Sequence, residues 1–191
     1  MNSNKNLNQS LDKDNPLTFF QTGKALIKEN KKEIRFIIFF ILFFFVGQSL
    51  SYALRLYASP FILHKLNAEV GSKLINLIIP DEKTLVSGNV IHSGRLRMTI
   101  EKGCEGTEGI ILIVAAIFAF PMRFLKKMVG LLLGTLIIYI ANLIRIIALF
   151  ASLKYKPALF DVMHIYIGQT FIIFIGSVFF IFWINRSMHD S

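Results

Sequence analysis

Residues 36–46 read FIIFFILFFFV, eleven apolar residues without a break. A surface helix or half-buried strand of a soluble protein shows water a polar face at its own period. This run has no polar face. It extends over 34–54, about the 20 residues a helix needs to cross a hydrocarbon core of about 30 Å. Three further apolar stretches of this kind lie at about 107–120, 128–150 and 163–185. The expected fold is an all-α multi-spanning membrane protein with about four transmembrane helices. It comprises one membrane domain over 34–185, preceded by a polar N-terminus, 1–33, and followed by a short tail, 186–191.

Composition and charge placement agree. Only 17% of the 191 residues are charged, against about 25% in soluble domains, which excludes an ordinary soluble enzyme, a disordered chain and a fibrous protein. The net charge of +9 does not form a basic stripe for nucleic acid. Lys28, Lys31, Lys32 and Arg35 precede the first span, Arg123, Lys126 and Lys127 fill the short loop between the second and third, and Arg186 follows the fourth. Flanking cations of this kind address the lipid bilayer and set topology. They place both termini and the short basic loop in the cytoplasm, and the segment 55–106 outside. That segment carries basic residues too, but long loops weigh less in the rule. The first apolar run begins too late for a cleavable signal peptide, with Ser51-Tyr52-Ala53 as the alternative reading of a cleavage site.

The outer segment has two parts. Phe61, Leu63, Leu66, Val70, Leu74 and Leu77 recur at helical spacing opposite Lys65, Asn67, Ser72, Lys73 and Asn76, which predicts an amphipathic helix on the membrane surface, ended by Pro80. Next, 85–92 and 95–101 read as a β-hairpin turning at Ser93-Gly94, with Leu96, Met98 and Ile100 on one face. The hairpin delivers the chain to Gly103-Cys104-Glu105-Gly106, at the head of the second span.

Consecutive spanning helices alternate in direction. The start of the second, the end of the third and the start of the fourth therefore share one membrane face. These places carry Cys104, Arg145 and His164: a nucleophile, a permanent cation and a base. Each has a plainer reading. Cys104, the single cysteine, serves equally as a buried filler or an intermolecular link. Arg145 can snorkel to headgroups, and His164 can be an interfacial residue. Asn142 lies one turn before Arg145 on the same face, in a polar stripe with Thr135 and Tyr139. Asp161 is spaced to orient the His164 imidazole, or to act as a loop charge or helix cap. Glu105 and Glu108 complement a helix N-terminus or act as bases, and the role of Glu105 is open. His64 and His92 read as surface residues. A glycine-flanked cysteine at a helix N-terminus near cations favours the thiolate. No His, Asp or Glu spacing matches a metal-ligand set, and no cofactor is expected.

Gly103-Cys104-Glu105-Gly106, then Asn142-Leu143-Ile144-Arg145, then His164 with Gly168 resemble the three motif blocks of the exosortase/archaeosortase family. The resemblance covers about half the chain. It implies a short form of a membrane cysteine transpeptidase, with Cys104 matching the nucleophile, Arg145 the motif arginine and His164 the motif histidine. Longer members have about eight spans, and Glu105 stands where a small or neutral residue is expected. The implied partner is an exported protein whose C-terminus carries a short motif, a transmembrane helix and a basic tail. The implied chemistry is a thioacyl-enzyme released to an amine or to water, in the cytoplasmic membrane with the active site on its extracytoplasmic side. Two rival readings are a non-catalytic scaffold using the polar stripe as interhelical glue and a thiol acyltransferase taking its acyl group from lipid.

Overall fold

A computed structural model describes residues 30–101 and 103–189, with backbone only for 55–60. The polar N-terminus up to residue 29, with Lys28, and the last two residues of the tail lie outside the described residues. Helix α1 covers Lys31–Pro60 and runs on through a π-helical stretch, Phe61–Glu69, into α2, Val70–Ile78. A 3-10 turn at Pro80–Glu82 leads to strands β1 (Leu85–Ser87), β2 (Val90–Ser93) and β3 (Leu96–Thr99). Helix α3 is Thr107–Ala119 and α4 is Phe124–Tyr155. The last helix, α5, spans Pro157–His189, with 3-10 geometry over its first residues and a π-turn at Met163–Ile167. Two compact units divide within α1, at Phe39 and Phe40; every contact described below lies in the second.

Three helical stretches are long and apolar enough to cross a membrane, Lys31–Leu54, α4 and α5, so the chain is a multi-pass membrane protein. The remaining expected span is α3. Its 13 residues reach only about 20 Å at 1.5 Å per residue. It packs between α4 and α5 and buries Ile113, Ala115, Ala116, Ile117 and Ala119. These helices approach closely because glycines face large side chains. Gly134 lies under the Phe179 ring and Ile113, Gly176 under Ile138, and Gly47 of α1 under Ile111. In lipid, packing of this kind drives association, because the tails are as apolar as leucine.

The outer segment differs from its expected form in two respects. The buried face of 61–78 is Leu63, Asn67, Ala68, Gly71, Ser72 and Ile75, while Phe61, Leu66 and Leu77 face outward. The expected polar side therefore points partly inward. Gly71 lets the helix approach Ile146 of α4, where a Cβ would stand 3.1 Å from the isoleucine methyl. Ser72 and Asn76 are consumed by Thr84: the two hydroxyls lie 2.7 Å apart, and Asn76 Oδ1 accepts from the Thr84 backbone N–H at 2.7 Å. The hairpin, likewise, is a three-stranded antiparallel sheet in the order β1-β2-β3. The stretch 85–92 breaks at Gly88-Asn89, where Gly88 takes φ +60°, a conformation that costs glycine nothing. Asn89 then bonds back to Ile100 through both its backbone C=O and its side chain. The apolar face holds as expected: Met98 pairs with Ile91 across β2 and β3, and both are buried together with Ile100. That face, Cys104 and the last third of α4, Leu143 to Phe150, form one apolar cluster; a second joins α3, α4 and α5.

Gly134 offers a test of this packing. A Cβ there would stand 2.8 Å from the Phe179 ring and 3.1 Å from Ile113. Overpacking costs about 1–3 kcal/mol, so Gly134→Ala should lower the melting temperature in detergent. Gly176→Ala, whose nearest neighbour stands at 3.3 Å, should cost less.

Candidate active site

The loop before α3 is a tight turn. The Cys104 N–H donates to the Glu101 carbonyl at 3.0 Å, and the Gly106 carbonyl accepts the Ile110 N–H at 3.1 Å to start the helix. Gly106 has φ +79°, and a Cβ there would stand 2.9 Å from Cγ of Asn142. Only glycine meets both conditions. The turn leaves Cys104 at 7% exposure inside the apolar cluster.

His164 reaches the same place from α5. It sits on the π-turn, whose extra residue rotates the helix face; such turns recur at functional sites. Its ring stacks on Phe160 with centroids 5.7 Å apart. Both ring nitrogens lie 3.4 Å from Cys104 Sγ. A sulfur equidistant from both lies off the lone-pair direction of each, so the ring must turn before one nitrogen can take the proton.

Arg145 completes the group from α4. It is 6% exposed. Its Nη2 donates to the His164 carbonyl at 3.0 Å and to Cys104 Sγ at 3.8 Å. The guanidinium passes directly over Gly168, where any Cβ would meet Nε. Gly168 is thus the clearance through which Arg145 reaches the thiol. Cys104, Arg145 and His164, expected on one face, come together.

The two supporting residues fare differently. Asn142 is fully buried, but it donates to Asn67 Oδ1 at 2.9 Å, and among the described residues no hydrogen bond joins it to Arg145. It backs the nucleophile turn at Gly106. Asp161 is exposed, in the first turn of its helical stretch. Among the described residues nothing bonds it to His164, whose nitrogens both face the sulfur. The sequence reading missed Asn67. It is 1% exposed, donates to the Ile62 carbonyl at 2.8 Å and to the Glu105 carbonyl at 3.5 Å, and accepts from Asn142. It links the outer segment, the nucleophile turn and α4. Tyr139 makes a parallel link, its hydroxyl donating to the Leu66 carbonyl at 2.7 Å.

A family model described as transmembrane exosortase matches residues 18–183. The chain belongs to the exosortase family. No curated protein and no solved structure matches it. For an exosortase of this length, the Cys104–His164 contact fits a cysteine-based membrane enzyme.

Electrostatic effects act on the thiol of this exosortase in both directions. Burial pushes the Cys104 thiol above its ordinary value; Arg145 pulls it down, and Glu101, Glu105 and Glu108 push it up. Burial wins, because removing a thiolate from water costs more than one cation at 3.8 Å returns. This direction favours a thiol that loses its proton as it reacts. The rate of Cys104 alkylation by a small neutral reagent should accordingly keep climbing beyond pH of about 8.5, the ordinary thiol midpoint. In Arg145→Ala the midpoint should move further alkaline, since the one charge favouring thiolate is gone. A midpoint near or below 7 in the wild type would show that burial does not dominate.

Proposed function

We propose that this protein is a membrane cysteine transpeptidase or protease that processes the C-terminal sorting signals of exported proteins. The observation that carries the reading is Cys104 Sγ lying 3.4 Å from both nitrogens of the His164 ring and 3.8 Å from the Arg145 guanidinium. A filler cysteine needs neither neighbour.

The proton leaves Cys104 for a ring nitrogen of His164 as the sulfur attacks a peptide carbonyl carbon. The carbonyl π electrons move onto oxygen, and the tetrahedral oxyanion takes hydrogen bonds from Arg145, which stays charged and offers several donors. Collapse breaks the C–N bond. His164 returns its proton to the departing amine, and the client's new C-terminus remains as a thioester on Cys104. An amine or water then attacks the thioester, losing its proton through His164, and the thiol is restored. Amine acceptance is transpeptidation; water gives hydrolysis.

The charge pattern supports an extracytoplasmic site, because Arg123, Lys126 and Lys127 form the shortest basic loop at the opposite ends of the helices from Cys104. A site at that face reaches a peptide bond held beside the membrane. A client with its own C-terminal transmembrane helix presents such a bond at high effective concentration, and a basic tail fixes the helix orientation.

The test follows a tailed exported protein by mass spectrometry of its C-terminus in cells carrying wild type, Cys104→Ala, His164→Ala or Arg145→Ala. Each variant should accumulate in the membrane and leave the client's tail in place, with activity down at least about 10²-fold, the scale of losing one acid–base or oxyanion group. Arg145→Lys should recover little, because one ammonium does not reproduce the planar fork. Asn142→Ala should be milder, since Asn142 meets Asn67 and the turn behind the thiol and makes no hydrogen bond to the thiol, Arg145 or His164 among the described residues. Identical client C-termini in all strains would remove the proposal, and a labelled lipid chain on Cys104 would favour the acyltransferase reading.

A further inference from the structure

A cavity of 180 Å³ lies between α1, α3 and α5. Each helix lends it one polar side chain: Gln48 from α1, Glu108 from α3 and Gln169 from α5. Helices α1 and α3 run antiparallel, since Phe43 meets Phe118 and Gly47 lies under Ile111; this brings Gln48 to the level of Glu108. One turn further from the Cys104 end, each helix lines the cavity with an apolar residue, Phe44, Leu112 and Ile172. Among the described residues, no hydrogen bond or ion pair engages Gln48, Glu108 or Gln169. The lining holds one anion and no cation. A carboxylate in the first turn of α3 complements the helix N-terminus, but that does not account for two glutamines of other helices meeting it. Polar side chains within a bundle at membrane depth mark substrate or ion sites.

We propose that Gln48, Glu108 and Gln169 seat the primary ammonium of the acceptor that resolves the Cys104 thioester; the proposal rests on the thioester reading above. An ammonium has three N–H donors and no acceptor, and the three side chains offer it a carboxylate and two amide oxygens. The Phe44 ring and the apolar wall suit the alkyl part of such an amine. The cavity is smaller than the roughly 300 Å³ at which drug-sized sites begin, so it takes an amine of a few heavy atoms. Two of its walls grow out of the catalytic residues. Glu108 follows Cys104 by four residues, and its charge acts on the Cys104 thiol. Gln169 follows His164 by five residues, one turn of π-geometry. The ammonium gives one proton to the Glu108 carboxylate, and the freed lone pair attacks the thioester carbonyl carbon. The C–S bond breaks, a second proton passes through His164 to the departing sulfur, and the third stays on the new amide nitrogen. Glu108 then releases its proton to water.

The experiment has two arms. The first reads binding without the reaction, by saturation-transfer NMR of ethylammonium or its neutral isostere 1-propanol on purified full-length Cys104→Ala in detergent. Ethylammonium should bind and propanol should not, and adding Glu108→Gln should weaken ethylammonium at least about tenfold, the effect of one hydrogen bond to a charged group. The second arm reads, by mass spectrometry, the products of the otherwise wild-type protein and a tailed client, with ethanolamine in solution or phosphatidylethanolamine in the bilayer. The mass of the amide tells which amine was taken. The ratio of amide to free acid is counted only among cleaved molecules, so it does not depend on how fast the thioester forms. Glu108→Gln and Gln169→Leu, on different helices, should each lower it at least about fivefold. Equal binding of propanol, or an unchanged ratio in both variants, would overturn the proposal and leave the thioester reading intact. Cleaved client with no amide from either amine would do the same. A client tail left in place by the wild type would instead overturn the thioester reading, and with it this role for the cavity.

Discussion

A guanidinium held almost out of solvent inside a helical bundle is the constraint on which this structure turns. Burying a charge costs several kcal/mol unless partners replace water. Arg145 finds its partners in the His164 carbonyl and the Cys104 sulfur. Satisfying the arginine therefore assembles the candidate site, because the same bonds fix α5 and the nucleophile turn relative to α4. Gly168 and Gly106 are what this demands of the backbone. One clears a path for Arg145, and the other lets the turn sit against Asn142. The Arg145 Nε, packed over Gly168, is buried with no partner among the described residues.

Two departures from regular helix serve the same site. The π-turn at Met163–Ile167 carries His164, and the π-helical stretch Phe61–Glu69 carries Asn67. In each, the wider turn rotates a polar side chain inward. Asn67 and Tyr139 fasten the outer segment to α4, and Lys154 pairs with Glu82, which also receives Ser93, to hold the sheet side. Leu63, Ala68 and Ile75 of the outer segment, with the sheet, share one apolar cluster with Cys104, and burial is what raises the thiol's proton affinity.

Much of this was legible in the sequence, for physical reasons. Spanning helices alternate, so the ends at which Cys104, Arg145 and His164 lie could be assigned from topology alone, before any contact was known. The alternation of Leu96, Met98 and Ile100 gave the buried face of the sheet in the same way. The inward face of 61–78 was not legible. In water, leucines point inward; beside lipid, which is as apolar as leucine, they need not, and the small residues Ala68, Gly71 and Ser72 took the protein-facing side. That small-residue stripe was the available signal for Asn67. Of the two readings of Asp161, the exposed charge near a helix start fits its place; the orienting one assumes regular helix, and the helix changes geometry between Asp161 and His164. For the thiol, a helix N-terminus and a cation were visible in sequence, whereas the burial that raises its proton affinity was not.

The central claim is that Cys104 carries the client during the reaction. The most direct measurement is acid-quenched mass spectrometry of the Cys104 peptide from cells making both this protein and a tailed client. The account predicts an adduct on Cys104 with the mass of the client's shortened C-terminus, released by neutral hydroxylamine as a thioester must be. It should be absent from His164→Ala, where the proton has no acceptor. A bare Cys104 under conditions in which the client's tail is being removed would contradict it.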